Sequence, residues 1–435
     1  MMTRLNDCDA KPGWAGRLGI CALATLGVTS IVPQVVAQEV ARDSIAGEKT
    51  AAKSKKGETP VGYNLHAGPV SFSVQASLRT EFNDNVYYTE AQRKQDIIIR
   101  PEVKIGSFWP ITDLNSLSLN LGIGYARYLQ TDALNSSTPL ISPDSELLFN
   151  LYVSDFRFQF HERFSYQETV YIDASQYRNA QFNNLSGVGK FGRFENRAGI
   201  TMDWDVYDLL VSVRYDHETV AVTTDPLKYL DRQSELFSAS ATYRISEKIK
   251  PGIETDASIN DYRYTRLHDQ WRASAGPFLD VGLSPNTKFR TGAGFATIQD
   301  VSQGPVLGSD NTYYAYARIN NTLNQYLVHS LDVGHINQLG YNAVNNALTY
   351  GRYEAIMYLV RNVDVNLHFM IGFGDEYGGT FKEEYTLYQP GLVVGYRFAQ
   401  RWRATLSYDF LRKDSDLQYY SYYQNRLLLG VSYKL

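Results

Sequence analysis

The segment Val363-Asp-Val-Asn-Leu-His-Phe-Met-Ile-Gly-Phe373 decides the fold. Val363, Val365, Leu367, Phe369, Ile371 and Phe373 stand at every second position, and Asp364, Asn366 and His368 stand between them. Successive side chains of a β-strand point to opposite faces, so this run has one apolar and one polar face. Working outward, Phe156, Phe158 and Phe160 oppose Arg157, Gln159 and His161 in the same way, and Val211, Val213 and Tyr215 oppose Ser212, Arg214 and Asp216. The period of two holds from about residue 70 nearly to the C-terminus. The segments run to roughly 10–14 residues, against about 5 or 6 in soluble sheets and about 9–11 for a tilted strand that crosses a bilayer.

The connections alternate. Tight turns fall near Pro110–Asp113, Ser154–Asp155, Asp205–Asp208, Ser246–Lys248, Ser284–Asn286, Asn324–Tyr326, Arg361–Asn362 and Ala399–Arg401. Longer polar loops lie between them, near 129–144, 166–192, 220–233, 300–311, 338–350 and 374–383. Aromatic residues gather at strand ends, among them Phe108, Trp109, Trp204, Tyr207, Trp271, Trp402 and the group Tyr419, Tyr420, Tyr422 and Tyr423. Short turns on one side, long loops on the other and interfacial aromatics are the pattern of a membrane barrel, and a soluble β-sandwich shares only the alternation. Counting segments gives about 18 strands, with the third placed at 114–128 and the fourteenth at 351–360. The fold class is therefore all-β: a transmembrane, antiparallel, up-and-down β-barrel over 70–435. An even strand count puts both termini on the periplasmic side. A closed barrel is required because lipid offers no partner to a free sheet edge.

Composition agrees. Tyrosine occurs 33 times, yet mean hydropathy is −0.32. After the N-terminal region no apolar run reaches 18 residues; a barrel gives this result because alternate residues face lipid. The first 37 residues read as a signal peptide: Arg4, Lys11 and Arg17, an apolar run from Leu18 to Val32, then Val35 and Ala37 at the small-residue positions of a cleavage site. That run is short for a spanning anchor, which needs about 20 residues. Cys21 follows Ile20, too bulky for a lipoprotein site. Residues 38–69 read as a flexible periplasmic segment. Cys8 and Cys21 are the only cysteines, so the processed chain has neither disulfide nor thiolate metal site. A formal charge of −4 gives no reason to expect a nucleic-acid partner.

The polar face is the presumed lumen. Its candidates are Arg100, Glu102, Lys104, Arg157, Arg197, Asp203, Arg214, Asp216, Arg244, Glu254, Asp256, Arg318, Asp364, Arg397, Arg403 and Asp409. A lipid-facing Arg or Lys would cost about 2–4 kcal/mol at mid-membrane, so charges of both signs on one face imply water there. Barrels of about 16–18 strands have room for an aqueous channel. The same charges also serve as braces between strands. Tyr152, Tyr314, Tyr316 and Tyr358 share this face and are candidates for stacking on sugar rings, with wall packing as the alternative. Catalytic patterns are sparse. His161-Glu162 and His217-Glu218 lack the second histidine of a metalloprotease helix, and no nucleophile elbow, phosphate loop or dinucleotide fingerprint occurs. No enzyme, cofactor or metal is expected.

The last strand carries an apolar face of Leu427, Leu429, Val431, Tyr433 and Leu435. Gly430, the aromatic Tyr433 and the apolar terminal Leu435 resemble the signal read by the outer-membrane barrel assembly machinery, although most such signals end in Phe. At the other end, Phe82, Asp84, Asn85, Val86 and Tyr87 resemble the signature of an aromatic residue, a spacer, Asp-Asn, a β-branched residue and an aromatic residue found early in the β-barrel porin-2 family. The resemblance implies a single barrel in the outer membrane of a Gram-negative bacterium. It also implies association with periplasmic machinery that exports exopolysaccharide, and it carries over no binding residues. The expected function is thus a porin-like channel that assists exopolysaccharide export or saccharide passage, in contact with outer-membrane lipid, polysaccharide and export components. A non-conducting scaffold or surface receptor in an envelope assembly, and a barrel enzyme, are the alternatives.

Overall fold

The computed structural model describes residues 62–169, 185–301, 309–379 and 381–435. Long antiparallel strands form one sheet. They are β1 (Val70–Asn83), β2 (Asp96–Pro110), β3 (Asn115–Gly124), β4 (Glu146–Val153), β5 (Phe156–Gln167), β6 (Arg193–Val206), β7 (Leu209–Val222), β8 (Arg232–Tyr243) and β9 (Ile249–Tyr262). They continue as β10 (Gln270–Ser284), β11 (Thr287–Asp300), β12 (Ser309–Asn324), β13 (Leu327–Leu339), β14 (Asn345–Val360), β15 (Val363–Tyr377), β16 (Glu383–Ala399), β17 (Trp402–Ser415) and β18 (Tyr422–Lys434). Each pairs with its neighbours in sequence, and β1 pairs with β18 from Gln75↔Lys434 to Asn83↔Arg426. That last ladder closes an 18-strand barrel and leaves no sheet edge to be satisfied by lipid. Both described chain ends lie at the tight-turn end.

Most strand bounds fall where the alternation put them, and two regions differ. The third strand breaks after Gly124 and resumes as the two-residue piece Arg127–Tyr128, which pairs back with β2 at Ile98 and Ile99. A second short piece, Leu140–Ile141, leads into β4. Between them the carboxylate of Asp96 accepts the backbone N–H groups of Leu129, Gln130 and Thr131 at 2.7–3.0 Å, which holds this long connection down. The other difference is β14, which begins at Asn345 rather than near 351, so the expected loop 338–350 shrinks to 340–344. Asn345 and Asn346 favour turns by composition. Here a ladder on both sides outweighs that preference, with Asn345 facing Leu339 and Tyr377.

The alternation becomes an inside and an outside. On β15, Leu367, Phe369 and Phe373 lie exposed on the outer surface, and His368 is buried on the inner one. On β18, Leu427, Leu429 and Val431 are exposed. Aromatic rings collect outside the tight-turn end, where Phe156 stacks on Trp204 with centroids 5.5 Å apart. Trp402 packs there on Tyr433 at 4.9 Å. Rings with one apolar and one polar edge suit a membrane boundary. The expected signal peptide and most of the segment 38–69 lie outside the described residues. Of the latter, Leu65–Ala67 folds back on Val70–Phe72 as a short hairpin, and Tyr63 packs against Phe108.

Candidate functional site

Inside the barrel, the charged residues brace one another. Glu81 receives Arg426 at 2.8 Å and Arg100 at 3.3 Å. Glu218 lies between Arg197 at 2.5 Å and Arg232 at 3.0 Å. Asp216 holds Arg214 at 2.7 Å and His161 at 2.8 Å. Farther round, Arg290 meets Glu254 at 3.2 Å, Arg318 meets Asp332 at 2.9 Å, and His368 meets Asp409 at 2.9 Å. Lys104 binds Asp144 at 2.8 Å and lies 3.8 Å from Glu102. Arg157 donates to Asn150, and Ser212 donates to Asp203. Asp256 is buried on the wall of β9. Arg403 pairs with Asp364 at 2.6 Å close to the tight-turn end, where Arg244 also bonds Asp205 and Arg397 is exposed.

Access to these groups grades along the axis. The side chains of Arg403 and Asp364 keep 39% and 27% of their surface open to solvent. Those of Lys413 and Glu383, near the other end of β17 and β16, keep none and lie 2.6 Å apart. Among the described residues the lumen is thus accessible from the tight-turn side and packed toward the loop side.

Part of that packing is apolar. Ile336, Leu348, Met370, Tyr385 and Leu387 form a buried cluster on the inner face of β13 to β16. Ile98, Val86 and Tyr128 form another with Leu134 and Leu140. Of these, Ile336, Leu348, Met370, Tyr385, Leu387 and Ile98 occupy inward strand positions that the alternation reserves for polar side chains, and Val86, Leu134 and Leu140 come from connections. Met370 already breaks that polar face in the sequence of β15, and it was the available signal.

The candidate sugar-stacking tyrosines occupy different settings. Tyr314 and Tyr316 stand directly opposite Gly294 and Gly292 on β11. A Cβ at Gly294 would come within 2.5 Å of the Tyr314 ring, and one at Gly292 within 2.6 Å of the Tyr316 hydroxyl. The two rings lie flat on the glycine floor, stacked 6.4 Å apart, with Tyr314 buried. Tyr316 donates to Glu254 at 3.1 Å. Tyr350 over Gly334, Phe278 over Gly252 and Tyr385 over Gly374 repeat the arrangement. Tyr152 has Arg157 above its ring at 5.8 Å, and Tyr358 is half-buried near the turn end. The Gly-x-Gly of β11 and the Tyr-x-Tyr of β12, read as a hairpin in register, would have disclosed the first two from sequence.

The loops at the far end meet over the lumen. Tyr88, Leu185, Phe191, Leu227, Tyr229, Leu230, Leu267 and Tyr422 make one buried cluster, with Val188 and Tyr341 packed on it. Phe191 precedes β6 and Tyr341 follows β13, on the far side of the ring, yet their rings meet edge to face at 6.2 Å. Tyr229 reaches Asn342 at 3.4 Å, and the N–H of Gly187 reaches the Tyr88 carbonyl at 3.0 Å. The Glu376 carboxylate accepts the N–H groups of Asn342 and Ala343. Desolvation in this roof pushes the Tyr341 hydroxyl up to about 12. Much of the expected 166–192 loop, residues 170–184, lies outside the described residues, as do 302–308 of the expected 300–311 loop. Among the described residues no group of three or more His, Cys, Asp or Glu side chains could hold a metal ion.

Of the expected assembly-signal residues, Gly430 faces inward beside Thr405, Tyr433 joins the aromatic ring at the turn end, and Leu435 donates its N–H to Val74 at 2.9 Å.

No protein-family model matches the sequence, and no curated protein matches it. Solved structures do. OccK2 (OpdF) of Pseudomonas aeruginosa, crystallised with glucuronate, aligns over 86% of this chain and 100% of its own, with a TM-score of 0.50 and 10% identity. OccK7 (OpdD) of the same organism aligns over 85% and 99%, with a TM-score of 0.47 and 12% identity. OpdK with vanillate aligns over 84% and 99%, with a TM-score of 0.47 and 9% identity. At such identity the likeness concerns the fold alone: a large, closed, antiparallel β-barrel.

Proposed function

We propose that this chain is an outer-membrane channel of the porin type, with its tight turns in the periplasm and its long loops outside. The observation that carries the proposal is a closed 18-strand barrel with an apolar outer surface and, toward the tight-turn end, an inner wall of ion pairs open to solvent. Charge on that wall is favourable only against water, and a wall of this circumference leaves room for it. Because the wall charges are paired with opposite partners, the channel exerts little net field on its contents. Neutral, hydrogen-bonding solutes such as saccharides suit that wall. Export of exopolysaccharide, with periplasmic partners, is the finer reading and rests on the Phe82–Tyr87 resemblance. On the same reading the C-terminal strand engages the barrel assembly machinery.

A second reading, a non-conducting scaffold, is favoured by one observation: the roof formed where Phe191 meets Tyr341 across the mouth. Planar-bilayer recordings on protein purified from membranes distinguish the two. Discrete conductance steps reduced by added oligosaccharide support the channel and its cargo. Steps indifferent to oligosaccharide leave the channel and remove the cargo. Silence from protein shown to be folded by heat-modifiable gel migration favours the scaffold.

A further inference from the structure

We infer that the segment Leu185–Phe191 is the keystone of a gate: it holds the loop end shut, and releasing it opens the pore. This rests on the channel reading. The segment is the point on which the other loops converge. Leu185 and Phe191 are buried in the roof cluster beside residues from the connections after β1, β7 and β9 and beside Tyr422 at the start of β18. Its polar atoms are tied outward in four directions. The Ser186 hydroxyl donates to the Tyr420 carbonyl at 2.7 Å and receives the Lys413 ammonium at 3.2 Å. The Gly187 N–H donates to Tyr88. The Lys190 ammonium reaches the Asn135 carbonyl at 3.1 Å and the Glu168 carboxylate at 3.2 Å. The Phe191 ring meets Tyr341 on one side and the Arg193 guanidinium, 4.5 Å from its centroid, on the other.

Two physical features make this a latch rather than a fixed wall. The segment is a connection, not a strand of the sheet, so moving it breaks none of the ladders that keep the barrel closed. Loops and lids are drawn from the less stable parts of a fold, which open locally while the rest stays folded. The fastening to β17 is also a hydrogen bond to a charged post. Lys413 is anchored from below by Glu383 and lies near the Tyr385 and Tyr420 ring faces at 5.2 and 5.6 Å. The post stays with the wall when Ser186 leaves it. Opening at this post therefore exposes a formed ion pair, and Glu168, from which Lys190 parts, keeps the Ser137 and Tyr166 hydroxyls as donors.

The test is single-channel recording of the wild-type protein beside F191A/Y341A, with Ser186→Ala as a milder variant should the double substitution fail to assemble. All proteins are first shown to be folded by heat-modifiable migration. The expected result is a wild type closed most of the time and a variant whose open fraction is at least tenfold higher, with the same unit conductance. Variant and wild type open to the same extent would overturn the gate and leave the channel standing. If both are silent although folded, the channel reading fails and the gate with it.

Discussion

The two ends of this barrel use the same amino acids for opposite purposes. At the tight-turn end Tyr207 is 93% exposed in a two-residue turn, and Tyr243, Tyr326 and Tyr396 point outward. At the loop end Tyr88, Tyr229, Tyr341 and Tyr422 turn inward and form a roof. The ion pairs differ in the same sense: Arg403 and Asp364 are wet, whereas Lys413 and Glu383 are dry. Connection length makes the difference. A two-residue turn has no slack to reach over the lumen, so its aromatic ring can only sit outside, at the boundary of the bilayer. A longer connection can fold back, and once several do so their apolar side chains bury one another. Among the described residues, one end of the sheet is thus open to solvent, and the other is a small hydrophobic core built across a barrel.

The contrast sets expected outcomes, each read as a shift in urea unfolding of the protein in lipid vesicles. The largest belongs to the dry pair. Lys413→Met strands the Glu383 carboxylate in a buried site and should cost about 3–5 kcal/mol. A midpoint within error of wild type would mean that water reaches Glu383, and the loop end would not be dry. Next comes Leu348→Ala in the inner apolar cluster, expected to cost about 2–5 kcal/mol because a fully buried side chain leaves a cavity. A loss near zero would instead describe a site already hydrated. Gly294→Ala tests the glycine floor: its Cβ would lie 2.2 Å from the Ala275 carbonyl oxygen and 2.5 Å from the Tyr314 ring. Overpacking of this kind costs about 1–3 kcal/mol. The variant should also push Tyr314 into the lumen and lower the unit conductance; unaltered stability and conductance together would show that the ring does not rest on the floor. The smallest effect is expected at the wet pair, where Arg403→Met should cost about 1 kcal/mol or less. A loss as large as that for Lys413→Met would erase the distinction between the two ends.

The strands were legible because a membrane wall imposes its period on the chain. Any polar residue on the outer face meets lipid, so Val363 to Phe373 shows alternation without tertiary information. The inner face is under a weaker constraint. It tolerates charge, hydroxyl, glycine or apolar side chains according to what lies across from it, and so Leu348 and Met370 occupy places where polar residues were expected. Among the tyrosines on that face, Tyr314 and Tyr316 could be interpreted only once register put Gly294 and Gly292 beneath them. The start of β14 was missed for a related reason, since Asn345 and Asn346 carry the composition of a turn and are held in a strand by their partners. The Phe82–Tyr87 segment was visible as a motif, but its local role was not. Asp84 binds Asn425 through both carboxylate oxygens at 2.7 Å, and Asn85 donates to the Tyr423 carbonyl at 2.8 Å, extending the first-to-last seam with side chains where the backbone ladder ends.

By itself the sequence determined the barrel, a count of about 18 strands and which residues face outward, because these follow from a local rule that every second residue obeys. Tertiary structure alone decided which charges pair, which rings lie flat and that the loop end is roofed. Those outcomes depend on contacts between residues far apart in the chain, such as Phe191 with Tyr341 and Ser186 with Lys413. No local period encodes which loop reaches across to which, since that is settled by the closure of the ring.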